Sequence, residues 1–317
     1  RNVVILGHQS SGKTSLVESL IYTAGGIASK GEVEKKSTVS DYTADEQKRG
    51  ASIQTAVVPV NYGGYKFNFL DIPGNDDFIS ETIGVTRIVK GGILLVDASV
   101  GVQVGTVKHW NHLRKRGIPT FILVNKMDKE NVKFDDILEE IRAKLGKNCV
   151  PFCYPLGHNA GFDGYVNLVN MNVLRYDGKN YVEGEIHEDK KAKVEELRNI
   201  VLEEVAKTDD NLMEKYFGGE EFSDDEMKTA LRTAVLNGEV VPVLVGSATK
   251  DIASKTILDM CIDYLPAPDD LKAYEAHDDL GKEVKRETTL EDPMTAYVFK
   301  TVVDPYSGVI NLVKINS

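Results

Sequence analysis

Nothing in this 317-residue sequence is long and apolar enough to span a bilayer, which takes ~18–20 consecutive apolar residues. That leaves no membrane-spanning helix to assign. Cysteine is scarce. Cys149, Cys153 and Cys261 are an odd number, with no histidine nearby to complete a metal set. They read as reduced, mostly buried thiols of a reducing cytosol, and a disulfide framework is excluded. An excess of positive charge is also missing. The chain carries −11, so it lacks the basic face by which nucleic-acid binders usually hold phosphate backbones. There is no internal repeat and no low-complexity tract. There is no leading methionine either: the chain starts at Arg1, just ahead of a strand-like VVIL, and stops at Ser317 inside strand-like sequence. Both ends read as cuts through a longer protein.

What is present is ordinary for a globular protein: 42% hydrophobic and 27% charged residues, in a length that suggests about two domains. The negative charge is unevenly spread. Residues 183–226 hold 16 Asp or Glu and 6 Lys or Arg, a net −10. That stretch is either a solvated helical surface or an acidic docking face for a basic partner.

Strand-like runs recur at Val3–Leu6, Ile53–Val60, Tyr65–Leu70, Gly92–Val96, Thr120–Val124 and Val241–Val245. Several are almost continuously apolar, as strands buried on both faces should be. Helix-like runs alternate with them: Lys13–Tyr22, Ile79–Val89, Val104–Arg116, Phe134–Leu145 and Ser254–Tyr264. This rhythm predicts an α/β fold with a doubly wound, mainly parallel sheet. Residues 149–239 break it with glycine-punctuated sequence and two amphipathic helical stretches, Lys190–Lys207 and Ser223–Leu236. They read as an inserted α+β subdomain. The parent domain is then 1–148 plus 240–268, and a charged linker occupies 269–287. Residues 288–317 alternate like β-structure around a turn at Asp304–Gly308 and read as the start of a truncated β-barrel domain.

The chemistry lies in the turns. Gly7, His8, Gln9, Ser10, Ser11, Gly12, Lys13 and Thr14 spell GxxxxGK[ST] between a strand and a helix that continues with Ser15. Backbone N–H groups curl around phosphate oxygens there, and the helix N-terminus adds partial positive charge. Lys13 would neutralise the outer phosphates, and the Thr14 hydroxyl would hold Mg²⁺. The bland alternative is a glycine-rich strand-to-helix turn. Asn125-Lys126-Met127-Asp128 follows another strand. A carboxylate at Asp128 can accept from the two donors on guanine's edge, a pair that adenine lacks. Asn125 would reach the base or the P-loop, and the Lys126 stem would cover the base. Ser247 and Ala248 end the last parent strand, where their N–H groups could receive the guanine carbonyl oxygen. In DIPGNDDF (71–78), Asp71 begins a DxxG turn, a pattern that chance supplies about once per chain of this length. Between a P-loop and NKxD it reads as the second Mg²⁺-side carboxylate, with the Gly74 N–H sensing the γ-phosphate.

Together these motifs resemble the translational GTPases, most closely elongation factor G and its elongation-factor-G-like relatives. The resemblance extends to QKRGASI (47–53), GVQVGT (101–106), the insertion and DYLPAPDD (263–270). It implies GTP as substrate, GDP as product, Mg²⁺ as cofactor, and switch segments at about 30–53 and 71–85. It also implies the ribosome as partner, with the ribosomal stalk protein meeting acidic residues 183–226, in a cytoplasmic monomer with no membrane contact. Three positions depart from the family pattern. Ser10 stands where many members have an aspartate. Ser52 stands where switch I supplies a Mg²⁺-binding threonine, and keeps the hydroxyl. Asn75 stands where active translocases carry the catalytic histidine. With Lys13 and Gly74, Asn75 completes the catalytic set that the resemblance implies, and its lack of a titrating group implies slow hydrolysis. A ribosome-binding protein with negligible hydrolysis and a tetracycline-resistance-type ribosome-protection GTPase remain alternatives.

Overall fold

The structure, a computed structural model, describes residues 1–178, 180–270, 273–277, 280–289, 291, 293–304 and 308–316. The first element is β1 (Asn2–Gly7), followed by α1 (Lys13–Thr23), α2 (Ala44–Arg49), β2 (Ala56–Tyr62) and β3 (Tyr65–Asp71). After a 3₁₀ turn at Asp76–Phe78 come α3 (Ile79–Val85), β4 (Gly91–Asp97), α4 (Val104–Lys115), β5 (Thr120–Asn125), α5 (Phe134–Lys144) and β6 (Cys149–Pro151). The insertion holds β7 (Cys153–Leu156), β8 (Gly164–Asn167), β9 (Asn172–Tyr176), β10 (Tyr181–Gly184), α6 (Glu188–Ala206), α7 (Asp210–Gly218) and α8 (Asp224–Leu236). The chain returns through β11 (Val241–Val245) and α9 (Ser254–Asp263), then β12 (Tyr274–His277), β13 (Glu283–Arg286), β14 (Ala296–Asp304) and β15 (Gly308–Ile315).

Seven strands form the main sheet in the order β2-β3-β1-β4-β5-β11-β6. Only the β2–β3 pair is antiparallel; the remaining pairs are parallel. Every position of β4, β5 and β11 is buried, which is why these runs read as continuously apolar. Burying one large aliphatic or aromatic side chain contributes about 1.5–3 kcal/mol. The fully covered Ile5, Leu6, Phe67, Phe69, Ile93 and Phe121 therefore make this sheet the rigid base of the molecule. Its parallel strands point their carboxyl ends the same way, so the turns after β1, β3, β5 and β11 gather along one edge.

Several boundaries differ from the sequence expectation, and β2 begins at Ala56, three residues after the expected Ile53. β6 pairs with β11 in the main sheet, so the first three residues assigned to the insertion continue the parent fold. α3 ends at Val85, four residues early. The Thr86 hydroxyl donates to the carbonyls of Thr82 (2.8 Å) and Ile83 (3.2 Å), and the chain then turns to bury Ile88 and Val89. The segment read as a linker carries the antiparallel pair β12–β13. A third inserted helix, α7, was also unexpected; it is capped by Asp209 and stopped by Gly219, whose φ is 72°. β14 and β15 pair antiparallel as expected, while Pro305, Tyr306 and Ser307 of the anticipated turn lie outside the described residues.

The insertion's four strands form their own sheet, β10-β9-β8-β7. On α6, Val194, Leu197, Val201 and Val205 face inward, while Glu195, Glu196 and Glu203 are exposed. The three cysteines are free and buried, and burial pushes each thiol up to about 12. Among the described residues no helix is long and apolar enough to cross a membrane.

Candidate functional site

The turns at the sheet's carboxyl edge enclose a cavity of about 550 Å³, lined among others by Gln9, Lys13, Thr14, Ser52, Gly74, Asn75, Asn125, Lys126 and Ala248. Lys13 opens α1 and is buried, with Nζ donating to the carbonyls of Gly7 (3.1 Å) and His8 (3.0 Å). Two of its three donors are thus used. Burial pushes its pKa down to about 8, against the pull of Asp71 and Asp41. A buried ammonium in that condition is stabilised by added negative charge, which is what a phosphate brings. Gly12 has φ +94°, and a Cβ on it would stand 2.4 Å from Asn125 Nδ2, so glycine is required there twice over.

Beside Lys13, Thr14 Oγ1 donates to Asp71 Oδ2 at 2.9 Å and lies 3.3 Å from Ser52 Oγ. Ser40 Oγ donates to the same Asp71 oxygen at 2.9 Å. Asp71 Oδ1 is buried with no hydrogen-bond partner, as is Asp41 Oδ1 nearby. Burial raises Asp71 to about 6 although Lys13, Thr14 and Ser40 oppose the shift, and burial raises Asp41 as well. Hydroxyls and carboxylate oxygens in a desolvated corner are the donor set a hard divalent cation takes, so the residues fit Mg²⁺. Among the described residues no group of three or more His, Cys, Asp or Glu forms a metal cluster.

Gly74 presses against the P-loop: a Cβ there would meet Lys13 Nζ at 2.2 Å and Gln9 N at 2.9 Å. Asn75 follows as the cap of the 3₁₀ turn, its Oδ1 accepting from Asp77 N at 3.1 Å. Asp76 is ion-paired with Lys108, whose hydrogen bond lowers its pKa. The His8 side chain does not face the phosphate side. It packs at Gly105, where an added Cβ would lie 2.4 Å from Nδ1.

On the base side, Asn125 joins two loops. Its Nδ2 donates to Ser11 O at 2.9 Å, and its Oδ1 accepts from Ala248 N at 3.0 Å. The P-loop, one of its two expected targets, is thus within its reach. Lys126 lies across the opening, donating to Ser10 O (2.7 Å) and Asp97 Oδ2 (2.6 Å). Burial would raise Asp97, but the Lys126 and Ser99 hydrogen bonds outweigh it and hold that carboxyl low. Asp128 sits between the lining residues Lys126 and Lys129 without lining the cavity itself, and its Oδ1 is buried and unpartnered. The Ser247 and Ala248 amides are already engaged, by Ile252 O (3.2 Å) and Asn125 Oδ1. Both N–H groups, expected as donors to a guanine carbonyl oxygen, thus also have acceptors within the protein.

Four residues in or against segment 24–54 escaped the sequence reading. Glu18, on α1, accepts from Gly31 N (2.8 Å) and Val39 N (2.5 Å). Glu46 closes a capping box with Thr43 and also accepts from Ile53 N (3.0 Å) and Gln54 N (3.2 Å), next to Ser52. Ser40 and Asp41 complete the set. The Thr-x-x-Glu spacing at 43–46 was the one available signal.

Residues 1–267 match the elongation factor Tu GTP binding domain family. The chain belongs to that family, the translational GTPases. This family member is 36% identical over 314 residues to elongation factor G of Thermotoga petrophila and, equally, to that of Thermotoga maritima. Each match covers 97% of this chain and 45% of the relative, so the chain spans less than half of their length. A solved crystal structure of a Thermus thermophilus protein superposes with a TM-score of 0.88 at 30% identity, over 100% of this chain and 45% of that one.

Proposed function

We propose that this chain is the Mg²⁺·GTP-binding and GTP-hydrolysing module of a ribosome-associated, elongation-factor-G-like translation factor. The observation that carries the reading is the convergence of Lys13, Thr14, Ser52 and Gly74 on one cavity, with Asp71 buried behind Thr14 and bonded to it, and with Asn125, Lys126 and Ala248 also lining that cavity. Lys13 and the P-loop amides bind the phosphates. Thr14, Ser52 and Asp71 would hold Mg²⁺, which when bound neutralises charge on the β- and γ-phosphates. Gly74 is close enough to the P-loop to register the outermost phosphate, and Asp128 selects guanine. GTP orders residues 30–53 and 71–85, and hydrolysis releases them. Residues 149–239 form a subdomain, with Cys149–Pro151 shared with the parent sheet, and its acidic helical surface meets a basic ribosomal partner such as the stalk protein.

Asn75 sets the rate. Its amide can orient a water but cannot take up a proton, and its oxygen already caps the following turn. Hydrolysis is slow for that reason. The same observation favours a second reading, a GTP-dependent ribosome-binding protein with negligible turnover. GTP turnover by the full-length protein, with and without ribosomes, separates the two. Ribosome-stimulated phosphate release supports an enzyme, and its absence with intact GTP binding supports the binder.

A further inference from the structure

The segment between α1 and α2 reaches the base side of the site through a residue that no motif contains. Lys30 Nζ donates to Ala248 O (3.2 Å), Thr249 O (2.8 Å) and Asp251 Oδ1 (2.6 Å), which uses all three ammonium donors. The two side chains of this ion pair are only 19% and 14% exposed. Asp251 is held from behind by Ser19 Oγ of α1 at 2.5 Å. The loop they grip is under strain. Asp251 (φ 60°) and Ala253 (φ 79°) are non-glycine residues in the left-handed region, where a residue persists only if its surroundings over-determine it. One of those surroundings is Tyr181 of the insertion, whose hydroxyl accepts from Ala253 N at 2.6 Å. Lys30 is the other. The same loop carries Ala248, bonded to Asn125, which is bonded in turn to Ser11 of the P-loop.

We propose that Lys30 is a positioning residue for the guanine nucleotide: it clamps loop 247–253 from switch I and so sets how long the base is retained. The proposal rests on the nucleotide reading above and adds a direction to it. Because the clamp comes from residues 24–43, any partner that moves switch I also loosens the base side, and nucleotide exchange becomes coupled to switch position.

The test is stopped-flow release of fluorescent mant-GDP from the full-length protein, chased with excess GDP. Lys30→Met keeps the stem and removes the three bonds; Asp251→Asn weakens the same contact from the opposite side. Each should release mant-GDP about tenfold faster or more, with association rates within about threefold of wild type, and the double variant should lose little beyond the singles. Lys30→Arg should restore most of the retention. Wild-type release rates in both single variants would overturn the clamp, as would equal losses in association and release that Arg does not rescue, since those mark a residue needed only for folding. Failure of the wild type to hold mant-GDP at all would instead refute the nucleotide reading.

Discussion

Replacing Asn75 by histidine should accelerate hydrolysis, and the structure allows the size of the gain to be worked out. A placed acid or base contributes ~10²–10⁴-fold, or about 3–5 kcal/mol of barrier. Asn75 also caps the Asp76–Phe78 turn through Asp77 N, and losing such a cap costs typically ~1 kcal/mol, about fivefold. Asp76 offers no substitute base, because Lys108 holds it in an ion pair. The net expectation for Asn75→His is a rise of about tenfold or more in ribosome-stimulated turnover. GTP affinity should stay within a few-fold, because Lys13, Thr14 and Asp71 are untouched. Single-turnover hydrolysis on ribosomes, using the full-length protein, is the assay. Wild-type turnover already equal to that of a histidine-bearing elongation factor G, or no gain in the variant, would refute the reasoning.

Asp128→Asn should weaken GTP strongly and favour xanthosine triphosphate, whose 2-oxo group accepts from the new amide; a competition titration showing unchanged GTP binding would contradict this. Lys13→Ala should nearly abolish nucleotide binding, since truncating one side of a buried charge pair costs about 2–5 kcal/mol, and calorimetry showing a change under about tenfold would reduce Gly7–Thr14 to a structural turn. Reversing Glu195, Glu196, Glu203 and Glu204 to Lys should slow ribosome association and weaken its salt dependence; an on-rate indifferent to both leaves the acidic stretch as a solvated surface. His109, packed 3.5 Å from Thr82 of α3, is held by burial at about 4 instead of 6.5. The unfolded chain therefore binds a proton between those values that the folded one refuses. Stability is full above pH 6.5 and declines as pH falls towards 4, by about 2 kcal/mol between pH 7 and pH 5 from this residue alone. Urea midpoints at the two pH values should show that difference shrink in His109→Gln, and an equal slope in the variant would place the proton elsewhere.

The parallel sheet and its P-loop were legible because their signals are local. Continuous apolar runs such as Ile93–Val96 mark strands buried on both faces, and the Gly12-Lys13-Thr14 spacing encodes a turn on its own. Asp71 was legible only in company, as one turn between two stronger motifs. What stayed hidden depends on chain returning from a distance. Cys149–Pro151 is too short to show a period, and it becomes a strand only because β11 comes back beside it. Glu18 and Lys30 look like ordinary surface charges, yet Glu18 is consumed by amides of segment 24–43 and Lys30 by carbonyls of the loop after β11. The internal acceptors of the Ser247 and Ala248 amides were hidden for the same reason. A turn's sequence does not tell which of its donors are spent internally, and here Ile252 and Asn125 take both.

Calorimetric titration of GDP against ADP decides whether this cavity takes a guanine nucleotide by its phosphates, Mg²⁺ and base together. The expected result is GDP binding at least about a hundredfold tighter than ADP, in line with the rejection of a base that leaves a carboxylate unpaired, with chelation of Mg²⁺ weakening GTP. Equal affinity for the two nucleotides, or no measurable binding of either, would contradict the account.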